Sequence, residues 1–173
     1  MQYLTLGLRC LLGAVFLIAA VSKVAGREAF ASFAVSLRRM RLLPNGLVRP
    51  VAALVVGAEL TAGAALAWPT ANGAPGFALA ATLLILFAAG IGRAVRLDIR
   101  EPCRCFGPSE TPLGRPHIVR NAVLAAVACV GLWGAQQPAP LHASGVIVAV
   151  SLGLLAAAAT LLLDDITELL RPL

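Results

Sequence analysis

The chain has 173 residues, of which 60% are hydrophobic and 13% are charged, and its formal net charge is +6. A soluble domain carries about 25% charged and about 45–50% apolar residues, so this composition excludes an ordinary water-soluble domain. With so little polar surface, the positive charge does not indicate nucleic-acid binding. The composition predicts an all-α integral membrane protein, with a single membrane domain over residues 1–173.

Five apolar segments have about the length that a membrane-spanning helix needs. Such a helix takes about 20 mostly apolar residues, and it must be helical because hydrocarbon cannot satisfy free backbone amides and carbonyls. The first segment carries Arg9 and the second carries Glu59, and no cleavage site follows the first, so we expect it to be retained. The predicted spans are at about residues 4–22, 50–68, 74–93, 118–136 and 143–163.

The connection between the first two spans contains an amphipathic segment at about residues 27–42. Phe30, Phe33, Leu37 and Met40 recur with helical spacing, and the arginines fall largely elsewhere. The pattern predicts a helix that lies on the anionic inner leaflet or packs against the bundle, and it does not distinguish the two.

Basic residues cluster in two connections. Connections rich in lysine and arginine stay in the cytoplasm, which predicts a multi-pass protein with its N-terminus outside. Lys23 is expected to anchor the end of the first span at the inner interface. Twelve of the 14 basic residues lie in or beside these two connections: Lys23, Arg27, Arg38, Arg39, Arg41, Arg49, Arg93, Arg96, Arg100, Arg104, Arg115 and Arg120.

The second basic connection, at residues 97–117, contains the stretch EPCRCFGPSE with Cys103 and Cys105. The flanking Pro102 and Pro108 restrict the backbone, and Gly107 permits a positive φ. A disulfide between residues i and i+2 closes a small ring that we expect to be strained, and strained disulfides are more oxidising than structural ones. By the charge rule this loop is cytoplasmic.

Three functions suit such a cysteine pair. The first is thiol–disulfide exchange, favoured by the nearby Arg100 and Arg104, although Glu101 and Glu110 act the other way. The second is carriage of a soft metal such as copper, zinc or mercury, although a closed zinc site would lack its fourth ligand. The third is a structural membrane anchor with incidental cysteines. No metal site, haem motif or other cofactor is evident, and a membrane quinone remains open as an electron acceptor.

The run CRCFGPSETPLGRPHIVRNAVL resembles the C-x-C-F-G … R-N-x-x-L signature of the methylamine-utilisation MauE family, which groups with DoxX-like redox-associated membrane proteins. RCLLGAVFLIAAVSKVAG and VAALVVGAELTAGAALA resemble the early helices of the same superfamily. The resemblance covers about residues 5–130. It implies a DoxX-like four-helix transmembrane bundle, to which the segment at 143–163 adds a fifth C-terminal span.

The resemblance also implies a function and a compartment. Cys103 and Cys105 would be the catalytic pair of a thiol–disulfide oxidoreductase in the bacterial inner (plasma) membrane, and the partner would be a thioredoxin-like protein. The family member of known pathway serves a periplasmic partner during maturation of a secreted dehydrogenase. That side conflicts with a cytoplasmic loop unless electrons cross the membrane, the loop folds into the bundle, or the orientation differs. The oligomeric state is left open.

Several residues within or beside the spans are candidates for further roles. Arg9 and Glu59 are predicted to form a structural ion pair, and Glu59 is also a candidate for proton handling. Cys10 and Cys129 are candidates for a second redox pair that relays electrons, or are ordinary small apolar residues. His117 could shuttle a proton or be a solvated loop residue.

Overall fold

The computed structural model describes residues 1–68, 73–99, 114–137 and 142–169, with side chains up to residue 162. Every regular element within these residues is helical. Five of the helices are long and apolar enough to cross a membrane, which confirms the predicted fold class. Cys103, Cys105 and most of the loop that carries them lie outside the described residues.

Six α-helices follow one another along the chain. A short 3₁₀ turn at Asn45–Leu47 precedes the third, and the fifth begins three residues earlier than predicted because Pro116 fits the first turn of a helix. The helices are α1 (Gln2–Val24), α2 (Arg27–Arg39), α3 (Val48–Ala67), α4 (Ala74–Arg96), α5 (Arg115–Gly134) and α6 (Ala143–Leu169).

Four of the helices form a closed ring. Helix α1 packs on α3, α3 on α4, α4 on α5, and α5 returns to α1. Phe16, Phe77 and Leu84 are fully buried in the shared core. This is the four-helix arrangement, with a fifth span added, that the resemblance implied.

The fifth span, α6, packs against α1 outside the ring. Ala149, Gly153 and Ala157 recur at every fourth residue on the face toward α1. A methyl group at Gly153 would lie 2.3 Å from the carbonyl oxygen of Gly7, so only glycine permits this approach. Close backbone packing through small residues is the usual way in which helices associate in lipid, where the hydrophobic effect does not drive them together.

The ring has two chemically different ends. Gly134 at the end of α5 lies against Thr5 near the start of α1, so these two helices are antiparallel. We call the end where α1 and α4 finish and α3 and α5 begin the basic end, since the basic connections belong to it. The opposite end is the neutral end, where the backbone amide of His142 donates to the Tyr3 hydroxyl at 2.8 Å.

The amphipathic helix α2 is docked on the bundle at the basic end. Its Phe33 and Ala34 are buried against Val48, Ala52 and Val56 of α3. Of the two arrangements that the sequence left open, the structure has the helix packed on the protein.

Candidate functional site at the basic end

The cysteine-bearing connection begins and ends at the basic end. Helices α4 and α5 pack closely together, and residues 97–114 join the end of one to the start of the other. Past the end of α4, Asp98 has a φ of 53°, and the Ile99 amide donates to the Ala94 carbonyl at 3.1 Å. This left-handed residue ends the helix and starts the connection.

The first turns of α5 carry two buried polar side chains. His117 is 5% exposed and Asn121 is fully buried. The Asn121 side-chain amide donates to the His117 carbonyl at 2.7 Å, while its own carbonyl oxygen is buried and accepts no hydrogen bond from the described residues. His117 is therefore a helical, buried residue and not a solvated loop residue. Its proton-transfer role stays a prediction.

A buried ion pair joins α1 to α3 near the basic end. The Lys23 ammonium donates to both carboxylate oxygens of Glu59 at 2.9 Å, and to the carbonyl of Ala19 at 3.2 Å. Lys23 is 3% exposed and Glu59 is fully buried. The Phe33 ring of α2 covers the ammonium, with 5.2 Å from the nitrogen to the ring centroid. The expected anchoring of Lys23 at the membrane interface is therefore wrong.

The predicted Arg9–Glu59 pair is also wrong, because Glu59 pairs with Lys23. Arg9 lies 14 residues before Lys23 on α1, or about 21 Å along the helix axis. It donates instead to the carbonyls of Leu66, at 3.0 Å, and Trp68. A cation at these last carbonyls of α3 satisfies acceptors that have no partner within the helix and complements its dipole.

The two cysteines within the helices are both free thiols. The Cβ of Cys10 lies beside Gly153 of α6, in the α1–α6 interface, whereas Cys129 is exposed on α5. The structure contains no bond between the two thiols. An electron relay between Cys10 and Cys129 stays a prediction.

Buried polar side chains are concentrated toward the basic end. The Thr5–Gly134 contact fixes the relative height of α1 and α5. Thirteen residues from it along each helix, Asn121 is at about the height of Ile18, which is five residues, or about one and a half turns, from Lys23. Sequence reasoning singled out Glu59 and His117 in this region but did not predict that Lys23, Ser36 and Asn121 would be buried. The buried polar residues of the described part of the chain are Thr5, Lys23, Ser36, Glu59, His117 and Asn121, and all but Thr5 lie toward this end.

The described ranges contain no grouping of three or more His, Cys, Asp or Glu side chains that could hold a metal ion.

Residues 1–134 match the family model described as Methylamine utilisation protein MauE. The chain belongs to the MauE family. No curated protein and no solved structure matches it significantly.

The MauE match ends at Gly134, the last residue of α5. It therefore covers the ring, the docked α2 and the cysteine-bearing connection, and it leaves out α6. As a MauE-family protein with five apolar helices, the chain is a multi-pass membrane protein in contact with a lipid bilayer.

Proposed function

We propose that this MauE-family protein is a thiol–disulfide exchange protein of the bacterial inner membrane. Cys103 and Cys105 would exchange electrons with a thioredoxin-like partner and so support disulfide formation or protein maturation. The proposal rests mainly on where the dithiol is attached: a connection of 18 residues, 97–114, joins two closely packed helices at the end of the bundle that holds five buried polar side chains.

The exchange proceeds in two steps. The thiolate of one loop cysteine attacks the disulfide of the partner, which forms a mixed disulfide and releases one partner thiolate. The other loop cysteine then attacks the mixed disulfide, which forms the Cys103–Cys105 bond and releases the second partner thiolate. Two electrons pass to the partner and the loop is oxidised, and the same bonds exchange in reverse when the partner is the reductant.

The balance of protons and electrons in this exchange determines which further reactant the protein needs. The two protons that the loop thiols lose are taken up by the two thiolates that the partner releases, so the exchange itself releases no net proton. The buried His117 and Glu59 are the candidates for holding a proton in transit. A loop that has been oxidised by its partner is reset by a reductant, and a reduced loop by an oxidant such as a membrane quinone or a second disulfide.

The charge distribution supports one orientation of the protein in the membrane. The basic end would face the cytoplasm, with the N-terminus outside. Labelling of the loop cysteines with a membrane-impermeant maleimide tests this, in chains that lack Cys10 and Cys129. Reaction in inverted vesicles but not in spheroplasts is expected, and the reverse pattern would place the loop in the periplasm.

Mixed-disulfide trapping tests the function. Each single variant, Cys103→Ser and Cys105→Ser, is made in a chain in which Cys10 and Cys129 are alanine, so that one thiol remains. One of the two is expected to retain a thioredoxin-like protein through a bond that dithiothreitol releases. The matched control is the Cys103→Ser/Cys105→Ser chain, which keeps both helix cysteines and should trap nothing.

Alkylation of the loop thiols separates exchange from metal carriage. A redox pair reacts with maleimide after reduction and is protected after oxidation, whether or not a chelator is present. Protection that appears only with copper, zinc or mercury ions and disappears with a chelator would reject the exchange function in favour of a metal carrier.

A further inference from the structure

A membrane-facing groove separates α5 from α6 near the basic end. Helix α6 packs on α1 and not comparably on α5, which leaves an open cleft of about 560 Å³ between them. Val119, Val123 and Leu124 of α5 line one side, and Thr160 of α6 contributes to the other. The groove belongs to the protein's lipid-exposed surface, outside the ring and apart from the buried ion pair.

Among the described residues that line the groove, the charged ones belong to the first turns of α5. Arg115 and Arg120 line it at the start of α5 with Val119 between them, and Val123 and Leu124 follow toward the membrane interior. Leu124 is nine residues beyond Arg115, so the groove reaches about 14 Å along the helix from its basic mouth. The arginines are therefore placed nearer the lipid headgroups than Val123 and Leu124, which lie deeper along the helix.

From this juxtaposition we infer that the α5–α6 groove binds one anionic phospholipid of the leaflet at the basic end. Arg115 and Arg120 contact its phosphate, and an acyl chain lies along Val119 and Val123. A planar guanidinium matches the geometry of phosphate oxygens, and basic pockets between membrane helices are known sites for anionic headgroups. Hydrocarbon is the solvent at this depth, so a lipid chain is the occupant that the apolar walls fit.

Native mass spectrometry of the detergent-solubilised full chain tests the inference. Dioleoyl-phosphatidylglycerol and dioleoyl-phosphatidylcholine, which share acyl chains, are added in turn, and retention of phosphatidylglycerol in preference is expected. Arg115→Gln and Arg120→Gln should each weaken it about fivefold, and the double variant about 25-fold. The Arg49→Gln/Arg93→Gln chain removes the same charge from exposed positions at the same end and should retain the lipid as the unmodified chain does.

Two further measurements separate the groove from general charge. Val123→Trp fills the cleft while keeping both arginines, and it should reduce phosphatidylglycerol retention at least as much as one arginine variant. Inorganic phosphate at millimolar concentration should not displace the lipid. Equal loss in the Arg49/Arg93 control, no loss with Val123→Trp, or displacement by free phosphate would each overturn the inference.

The acids that follow Thr160 provide a last test. If Asp164 and Asp165 neutralise the two arginines, the unmodified chain will not prefer phosphatidylglycerol and the Asp164→Asn/Asp165→Asn chain will, which would also overturn the inference. None of these results affects the mixed-disulfide trapping experiment. The lipid site and the exchange function are therefore tested independently.

Discussion

At the scale of single residues, the buried Lys23–Glu59 ion pair is the feature that depends most on correct geometry. Both side chains are almost completely excluded from solvent, and Lys23 also contacts the Ala19 carbonyl and the Phe33 ring. Removing two charges from water is unfavourable unless they are paired with good geometry, and two short contacts to one carboxylate provide it. The pair therefore specifies how α1 meets α3.

Breaking this pair from either side should destabilise the protein. Glu59→Gln or Lys23→Met leaves one buried charge without its counter-charge, and each is expected to lower the free energy of unfolding by about 3–5 kcal/mol. The Lys23→Met/Glu59→Leu double variant should recover most of that loss. Unfolding in mixed detergent measures all three against Glu28→Gln, which neutralises an exposed acid on α2. A double variant as unstable as the sum of the singles would mean that the two residues act independently.

At the scale of elements, α2 is a docked helix whose position depends on few contacts. Phe33 is 7% exposed and contributes both to the cluster with α3 and to the covering of Lys23. On the same helix, Val35 is 44% exposed and points away from the bundle.

Phe33→Ala should release α2 from the bundle. The substitution removes a large buried ring, which typically costs about 3–5 kcal/mol, and it exposes the ion pair beneath. Trypsin should then cleave the detergent-solubilised protein faster at Arg38 and Arg39. Val35→Ala is the matched control and should be cut at the unmodified rate, so equal acceleration in both variants would indicate that α2 is not held through Phe33.

The contact between α4 and α5 depends on a glycine. A methyl group at Gly131 would lie 2.2 Å from the ring of Phe77, which is fully buried and has no room to move. Gly131→Ala is therefore expected to destabilise the protein by about 1–3 kcal/mol through overpacking. Gly57→Ala, at an open helical position, should cause no loss. If both substitutions are neutral in a thermal unfolding assay, the two helices do not pack as closely as the structure has them.

At the scale of the whole molecule, the four-helix ring and α6 are separable parts. The ring closes through α1 and α5, the MauE match ends at Gly134, and α6 contacts the ring through α1. Exposing the outer face of α1 to lipid carries little hydrophobic penalty, since lipid tails are as apolar as the helix they replace.

A chain truncated to residues 1–138 should therefore still insert and fold. Far-UV circular dichroism should show helix in proportion to α1–α5, and the truncated protein should elute as one species. With Cys103, Cys105 and Cys129 replaced by serine, Cys10 should react faster with N-ethylmaleimide than in the full chain carrying the same replacements. An aggregated or unfolded product would show that α6 is required for the ring.

The sequence alone determined the class of this protein and its outline. Apolar runs of membrane length must be helical in hydrocarbon, and the signature around Cys103 and Asn121 was enough to identify the MauE family. The partners of charged residues depended on tertiary structure, because a sequence records the spacing along one helix and not the height at which two helices meet. Arg9 and Lys23 both lie on α1, and only the antiparallel register of α1 and α3 brings Lys23, and not Arg9, to Glu59. Tertiary packing also determined the docking of α2 and the burial of His117 and Asn121. Each depends on which neighbouring helix covers that face, and the sequence does not record this.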